Sequence, residues 1–267
     1  MDEVAPGSDH GGMKDAVWRG VDLSGVTLVL GVGTGQLVAL LKQQAALAGG
    51  NLVVLSPHMR ELSPLVPLQQ GPLTLMRGRW RQIPLQSETV DLLVINGVLR
   101  EVPEERLEQA FEEFWRVLVP GGHFRIADII EPTEAAYNQA WALRNAIVRK
   151  LSRALDRPTA LAVNLQRAAL ALRAVGFEDV AVSLLPGSPL TESWLEDTVN
   201  ALYTMAGRLA DRKLRDEILL QDIKRLIALF GQGGQRSAER FVLRGRKAGD
   251  LALDMEASFT EQDLLSP

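Results

Sequence analysis

The chain has 267 residues, 46% hydrophobic and 23% charged, which suits one large globular α/β domain or such a domain with a cap. Lys and Arg total 29 against 33 Asp and Glu, a net charge of −4 that does not favour general nucleic-acid binding but leaves room for a local basic groove. The absence of cysteine excludes disulfides, thiolate metal sites and cysteine nucleophiles.

Residues 1–20 read as a flexible leader without the apolar segment of a signal peptide. No apolar run approaches the ~18 residues needed to span a bilayer, so the cytoplasm is the expected location. The first buried strand is Val26–Leu30. It runs into Gly31-Val32-Gly33-Thr34-Gly35, and a helix over Leu37–Leu47 follows. A Gly-rich turn between strand and helix lets the backbone approach a ligand closely. Asn51–Leu55, Leu73–Met76 and Val90–Ile95 read as three more strands, the last apolar enough to be covered on both faces. Glu104–Leu118 is helical, with Leu107, Phe111, Phe114 and Leu118 on one face and Pro120-Gly121-Gly122 as its stop. A fifth strand is expected over His123–Ile130, the end of a helix over Ala168–Val175, and final strands over Val180–Leu185 and Arg240–Arg246. Strand–helix alternation of this kind implies an α/β fold with a doubly wound, mostly parallel seven-stranded sheet.

Two helical stretches, about 134–166 and 191–236, interrupt that rhythm within a domain spanning 21–247. The second carries an apolar stripe through Leu195, Val199, Leu202, Ala206, Leu209, Leu214, Ile218, Ile223, Leu226 and Phe230. Such a stripe more often packs on its own domain, but it also makes the 191–230 helices the place to expect a homo- or hetero-oligomer contact or a lid. Residues 248–267 form an acidic tail, expected to be disordered or loosely docked.

In this order the segments resemble the class I S-adenosylmethionine-dependent methyltransferases, most closely the small-molecule, quinone-biosynthesis type. VLGVGTGQL resembles the family's nucleotide loop, VVLSPHM the end of its second strand, GRWRQIPLQSETVDLLVINGVLREVP its adenine segment and fourth strand, and FWRVLVPGGHFRIADIIEP its fifth-strand region. The resemblance covers about Leu23 to Phe177 and the final strand. It implies a cofactor site at Gly31, Gly33, Gly35, Val54, Leu55, Arg79, Trp80 and Asn96, with S-adenosylmethionine as the cofactor. It also implies acids at positions 31, 54 and 79, where this chain has Gly31, Val54 and Arg79. Losing the ribose acid and one further charged contact costs about 3–6 kcal/mol, enough to turn a micromolar site into a roughly millimolar one. Weak or absent cofactor binding is therefore expected, in a pseudoenzyme acting as scaffold, regulatory subunit or binder of another ligand. An active methyltransferase on a small apolar acceptor and a nucleotide- or RNA-binding module are the alternatives.

No catalytic residue is assigned. His10, His58 and His123 are too scattered for a metal site, and Ser56 reads as the start of a helix rather than a nucleophile. Asp128 and Glu131 end the fifth strand, where a carboxylate in the ligand crevice could act as general base or simply be solvated. Arg100 stands where related enzymes often have histidine. Glu61, the nearest acid to the second strand, lies well past its end. Arg77 and Arg81 read as solvated, Arg79-Trp80 as favouring an anionic ligand, and Arg144 to Arg157 as a basic helical face. The expected partner is a small molecule or a protein.

Overall fold

Seven apolar segments pair into one sheet of order β3-β2-β1-β4-β5-β7-β6 in the computed structural model, which describes residues 20, 22–33, 35–130, 135–156 and 161–249. The strands are β1 (Val26–Leu30), β2 (Asn51–Ser56), β3 (Leu73–Arg77), β4 (Val90–Asn96), β5 (Leu118–Ile129), β6 (Glu178–Leu185) and β7 (Arg240–Arg246). β1 to β5 pair in parallel, and β7 pairs antiparallel with both β5 and β6. The leader, Thr34, Glu131, Arg157 and the tail from residue 250 lie outside the described residues.

Both faces of the sheet centre are covered, which explains the continuous apolar runs of β1, β2 and β4. On one face, α1 (Gln36–Ala48) buries Leu37, Val38 and Leu41 against Val29, Val54 and Val94. On the other, α3 (Leu107–Val117) buries Phe111 and Phe114 beside Leu93 and Ile95, with α5 (Leu165–Val175) alongside. The short α2 (Met59–Leu62) follows β2.

The helix expected over Glu104–Leu118 is shorter. A 3-10 turn over Glu104–Arg106 precedes α3, and β5 already begins at Leu118. Pro120-Gly121-Gly122 is therefore strand backbone, not a turn. It becomes so by pairing with the chain after β7, through Gly121 N–H to Lys247 O (3.1 Å) and Lys247 N–H to Gly122 O (2.8 Å). The β4–β5 register shifts between Val90 and Leu92, an irregularity of the kind where a proline lacking its N–H can sit.

The two interrupting stretches fold onto each other as a helical cap. Helix α4 (Gln139–Ala154) packs against α6 (Glu192–Ala206), α7 (Arg212–Glu217) and α8 (Ile223–Gly231), with one π-helical turn over Ile218–Asp222 between the last two. The apolar stripe packs on its own domain, as such stripes more often do: Leu202, Ala206, Leu209, Ile218, Ile223 and Leu226 are buried with Ile147 and Leu151 of α4. Trp194 stacks between Trp141 (5.8 Å) and Phe230 (6.3 Å), joining α4, α6 and α8. Since β5 and β6 end, and β7 begins, where these helices attach, the cap lies at the sheet edge that carries the Gly-rich turn. No helix among the described residues is long and apolar enough to cross a membrane.

Candidate functional site

The carboxyl ends of β1 to β4 open into a cavity of about 570 Å³, within the size range of small-molecule sites. It lies beside β1, where the strand order reverses, the usual ligand crevice of an open parallel sheet. β1 contributes Leu30, Gly31, Val32 and Gly33, and β2 contributes Leu55, Ser56, Pro57 and His58, with Glu61 from α2. Gly78, Arg79, Trp80 and Arg81 come from the β3 exit, and Asn96, Gly97, Val98, Arg100, Glu101, Pro103 and Arg106 from the β4 exit.

The turn after β1 has a steric reason for its glycines. Gly31 has φ +90°, and a Cβ there would lie 2.0 Å from the Asn96 carbonyl oxygen. Position 31 therefore cannot hold an acid in this backbone. Gly33, with φ +54°, faces the Asn96 side-chain amide, which a Cβ would approach to 3.4 Å. Backbone at this turn is thus open to a ligand, with Asn96 beside it.

Of the eight expected cofactor residues, Gly31, Gly33, Leu55, Arg79, Trp80 and Asn96 line the cavity, and Gly35 and Val54 do not. Gly35 caps α1 instead. Val54 is completely buried in the layer between the sheet and α1, because the alternation of β2 turns it away from the cleft. Ser56 ends β2 rather than capping a helix; His58 holds the cap position of α2. The Ser56 hydroxyl accepts from His58 N–H (3.1 Å) and donates to Glu61 Oε2 (2.6 Å). That bond draws Glu61 back to the cavity wall, although in sequence it stands well beyond the strand.

Asp128 does not line the cavity; its side chain is fully buried. Its carboxylate accepts from Arg100 N–H (3.1 Å) and Ile129 N–H (2.8 Å) and pairs with the Arg100 guanidinium at 3.5 Å. Burial pushes its pKa up, while Arg100 and these backbone donors pull it down. Asp128 therefore positions the β4 exit and is not a general base facing ligand. Glu101 is the carboxyl whose proton affinity the cleft itself changes. The packing around it, then the charge of Glu61, raise its pKa, opposed by Arg100.

The β3 exit is held from outside the cleft. Glu113 accepts from Ile83 N–H (2.6 Å), and Arg116 forks onto Glu113 and donates to the Ile83 and Leu85 carbonyls (both 2.9 Å). This anchors the loop presenting Arg79, Trp80 and Arg81. Arg81, expected to be solvated, stands at the cavity lip; Arg77 is exposed outside it. Sequence reasoning missed Glu101 and Arg106, and it set Glu61 aside as lying too far past the second strand. The only signal for Glu61 was a serine five residues before it, an ordinary reach across a strand-to-helix turn. Among the described residues no three His, Asp or Glu side chains gather into a metal site.

Residues 28–126 match the family model described as a methyltransferase domain. That segment resembles methyltransferases in sequence, and the sheet order and flanking helices are those of the Rossmann-like methyltransferase fold. The ubiquinone/menaquinone biosynthesis C-methyltransferase of Syntrophotalea carbinolica is 31% identical over 121 residues, 44% of this chain. The match spans half the length of that relative. Among solved structures, the [4+2]-cyclase SpnF superposes with a TM-score of 0.56 at 16% identity, over 89% of this chain and 80% of its own. The YcgJ protein of Bacillus subtilis gives 0.55 at 15% identity, over 89% of this chain and 97% of its own. Phosphoethanolamine N-methyltransferase 2 of Haemonchus contortus, solved with phosphomonomethylethanolamine and S-adenosylhomocysteine, gives 0.55 at 13% identity, over 90% of this chain and 53% of its own. At these identities the structures share the fold, and a cyclase among them shows that the fold does not dictate methyl transfer.

The cleft fits S-adenosylmethionine unevenly. Its Gly31–Gly33 backbone suits the methionine part. The nucleoside side does not fit in the same way: β2 offers Leu55 and a Ser56 hydroxyl already bonded to Glu61, and β3 offers Arg79 and Arg81.

Proposed function

We propose that this is a methyltransferase-like protein that binds S-adenosylmethionine weakly or not at all and holds an anionic small molecule in the cleft, as a regulatory or scaffolding component. The carrying observation is the charge lining: the ends of β1 to β3 present no carboxylate, and four arginines (Arg79, Arg81, Arg100, Arg106) face two glutamates (Glu61, Glu101). A sulfonium ligand entering there gains no acceptor for its ribose from β2 and meets fixed cations. The unmet hydroxyls alone cost about 1–3 kcal/mol. An anion meets guanidinium donors suited to carboxylate or phosphate.

Thermal unfolding with millimolar adenosine monophosphate, set against S-adenosylmethionine at equal concentration, tests the reading. The phosphate probe is expected to raise Tm more, and Arg79→Glu to abolish that gain; the opposite order contradicts it. One observation favours an active methyltransferase instead. Glu61 stands at the cavity wall, where Ser56 engages its Oε2 and leaves Oε1 to meet a ribose. On that reading Glu61→Ala lowers S-adenosylmethionine affinity about tenfold or more.

A further inference from the structure

On the sheet face away from α3, β5 and β7 gather three arginines and His123, which burial and the neighbouring arginines keep from taking up a proton as readily as a free imidazole. Register pairs His123 with Arg246 and Arg125 with Arg244, and alternation places all four on one face. Like charges directly opposite in an antiparallel pair destabilise it. Arg246 has its own partners, Asp179 at 2.7 Å and Glu178 at 3.4 Å. Arg125 and Arg244 meet no carboxylate among the described residues. Arg125 is 9% exposed, and its hydrogen bond goes to the neighbouring Phe124 carbonyl at 2.9 Å. Asp22 and Asp91 line a cavity with His123 at one end of the ladder, but the elements beside Arg125 and Arg244 supply no acid. β4 offers Leu92 and Val94, β6 offers Ala181 and Ser183, and α1 contains no acid. A buried guanidinium without a counter-ion is costly to maintain.

We infer that the acidic C-terminal segment, residues 250–267, docks on this face and supplies the missing counter-charge. The segment contains Asp250, Asp254, Glu256, Glu261 and Asp263 and no Lys or Arg. It leaves the fold at the right place. Lys247 is pinned by Glu88 and the Leu118 carbonyl (both 2.9 Å) and by its backbone bonds to Gly121 and Gly122, so the segment starts at the His123–Arg246 end of the cation ladder. Asp250 to Glu256 spans up to roughly 23 Å when extended, ample to turn back over a patch about 7 Å deep. The leader also contains acids, but it mixes them with Lys14 and Arg19 and is not joined to β7.

The chain has no cysteine, so Ser258→Cys gives a single labelling site in the full-length protein. A nitroxide there is expected to broaden the backbone amides of 124–126 and 243–245. Broadening should fall severalfold in Arg244→Glu, an exposed position, in the Asp250→Asn/Asp254→Asn/Glu256→Gln chain, and at about 0.5 M salt, where screening acts within roughly 4 Å. Loss in the tail variant alone still supports docking if Arg244→Glu fails to fold. No broadening on this face, broadening centred on Arg144–Arg153, or broadening that survives both variants overturns the inference.

Discussion

Single residues decide how much of the expected decay is real. Glycine at 31 is required by its own backbone: φ is +90° and the Asn96 carbonyl stands where a Cβ would go. Gly31→Ala is therefore expected to destabilise the fold by about 2 kcal/mol or more, measured by urea unfolding. An unchanged midpoint would mean that this turn relaxes freely. Val54 is likewise a core residue and not a lost ribose contact. The proposed change of the site now rests on Arg79 and on β1 to β3 themselves ending without a carboxylate in the cleft. Glu101 adds a pH signature. Its raised pKa means that it takes up a proton more readily than a free glutamate, and the neutral form leaves the cleft more positive. Binding of adenosine monophosphate should weaken as pH rises through that raised value. Glu61, Arg100, His58 and Asp128 also act on Glu101, so the test is whether Glu101→Gln flattens the profile. A profile with the same slope in the variant assigns the effect to another group.

Elements carry the site further than single residues do. The loop from β3 to β4 holds Arg79 and Trp80 because Glu113 and Arg116, both on α3, bond its backbone at Ile83 and Leu85. Hydrogen bonding from Arg116 and then from Ile83 N–H outweighs burial and holds the Glu113 carboxyl below its ordinary value of 4.5. A depressed folded pKa means that this stabilisation is present above the unfolded value and is lost as pH falls through the folded one. Glu113→Gln is expected to cost about 1–2 kcal/mol at neutral pH, allowing for a partly solvated partner, and progressively less below pH 4.5. Chemical unfolding at pH 7 and pH 3 checks this, and an equal loss at both contradicts it. The elements themselves were legible in the sequence. Apolar runs and their stops located all seven strands, most plainly β1, β2 and β4, where burial on both faces leaves no alternation to mislead. What periodicity could not give was pairing. Pro120-Gly121-Gly122 looks like a helix stop and becomes strand only through Lys247, a partner more than 120 residues away.

At the scale of the molecule, the cap and the sheet have separate apolar cores. The stripe on α6 to α8 was readable as one face of a helix, but its target was not. Only the fold shows that α4 covers it, leaving Tyr203, Leu220 and Ile227 exposed. The site was legible in outline, from the Gly-rich turn and the Arg79-Trp80 segment. Glu61, Glu101 and Arg106 were not, because they reach the cavity through turns whose geometry no spacing encodes. The fold is the Rossmann-like methyltransferase fold, and on the proposed function its cleft favours an anion over S-adenosylmethionine. Calorimetric titration of the full-length protein with S-adenosylmethionine and S-adenosylhomocysteine tests that claim most directly. The account predicts a Kd of about millimolar or weaker for both, in protein shown to be folded. A low-micromolar Kd would contradict it and would make Glu61 the first residue to test as the replacement for the missing acid.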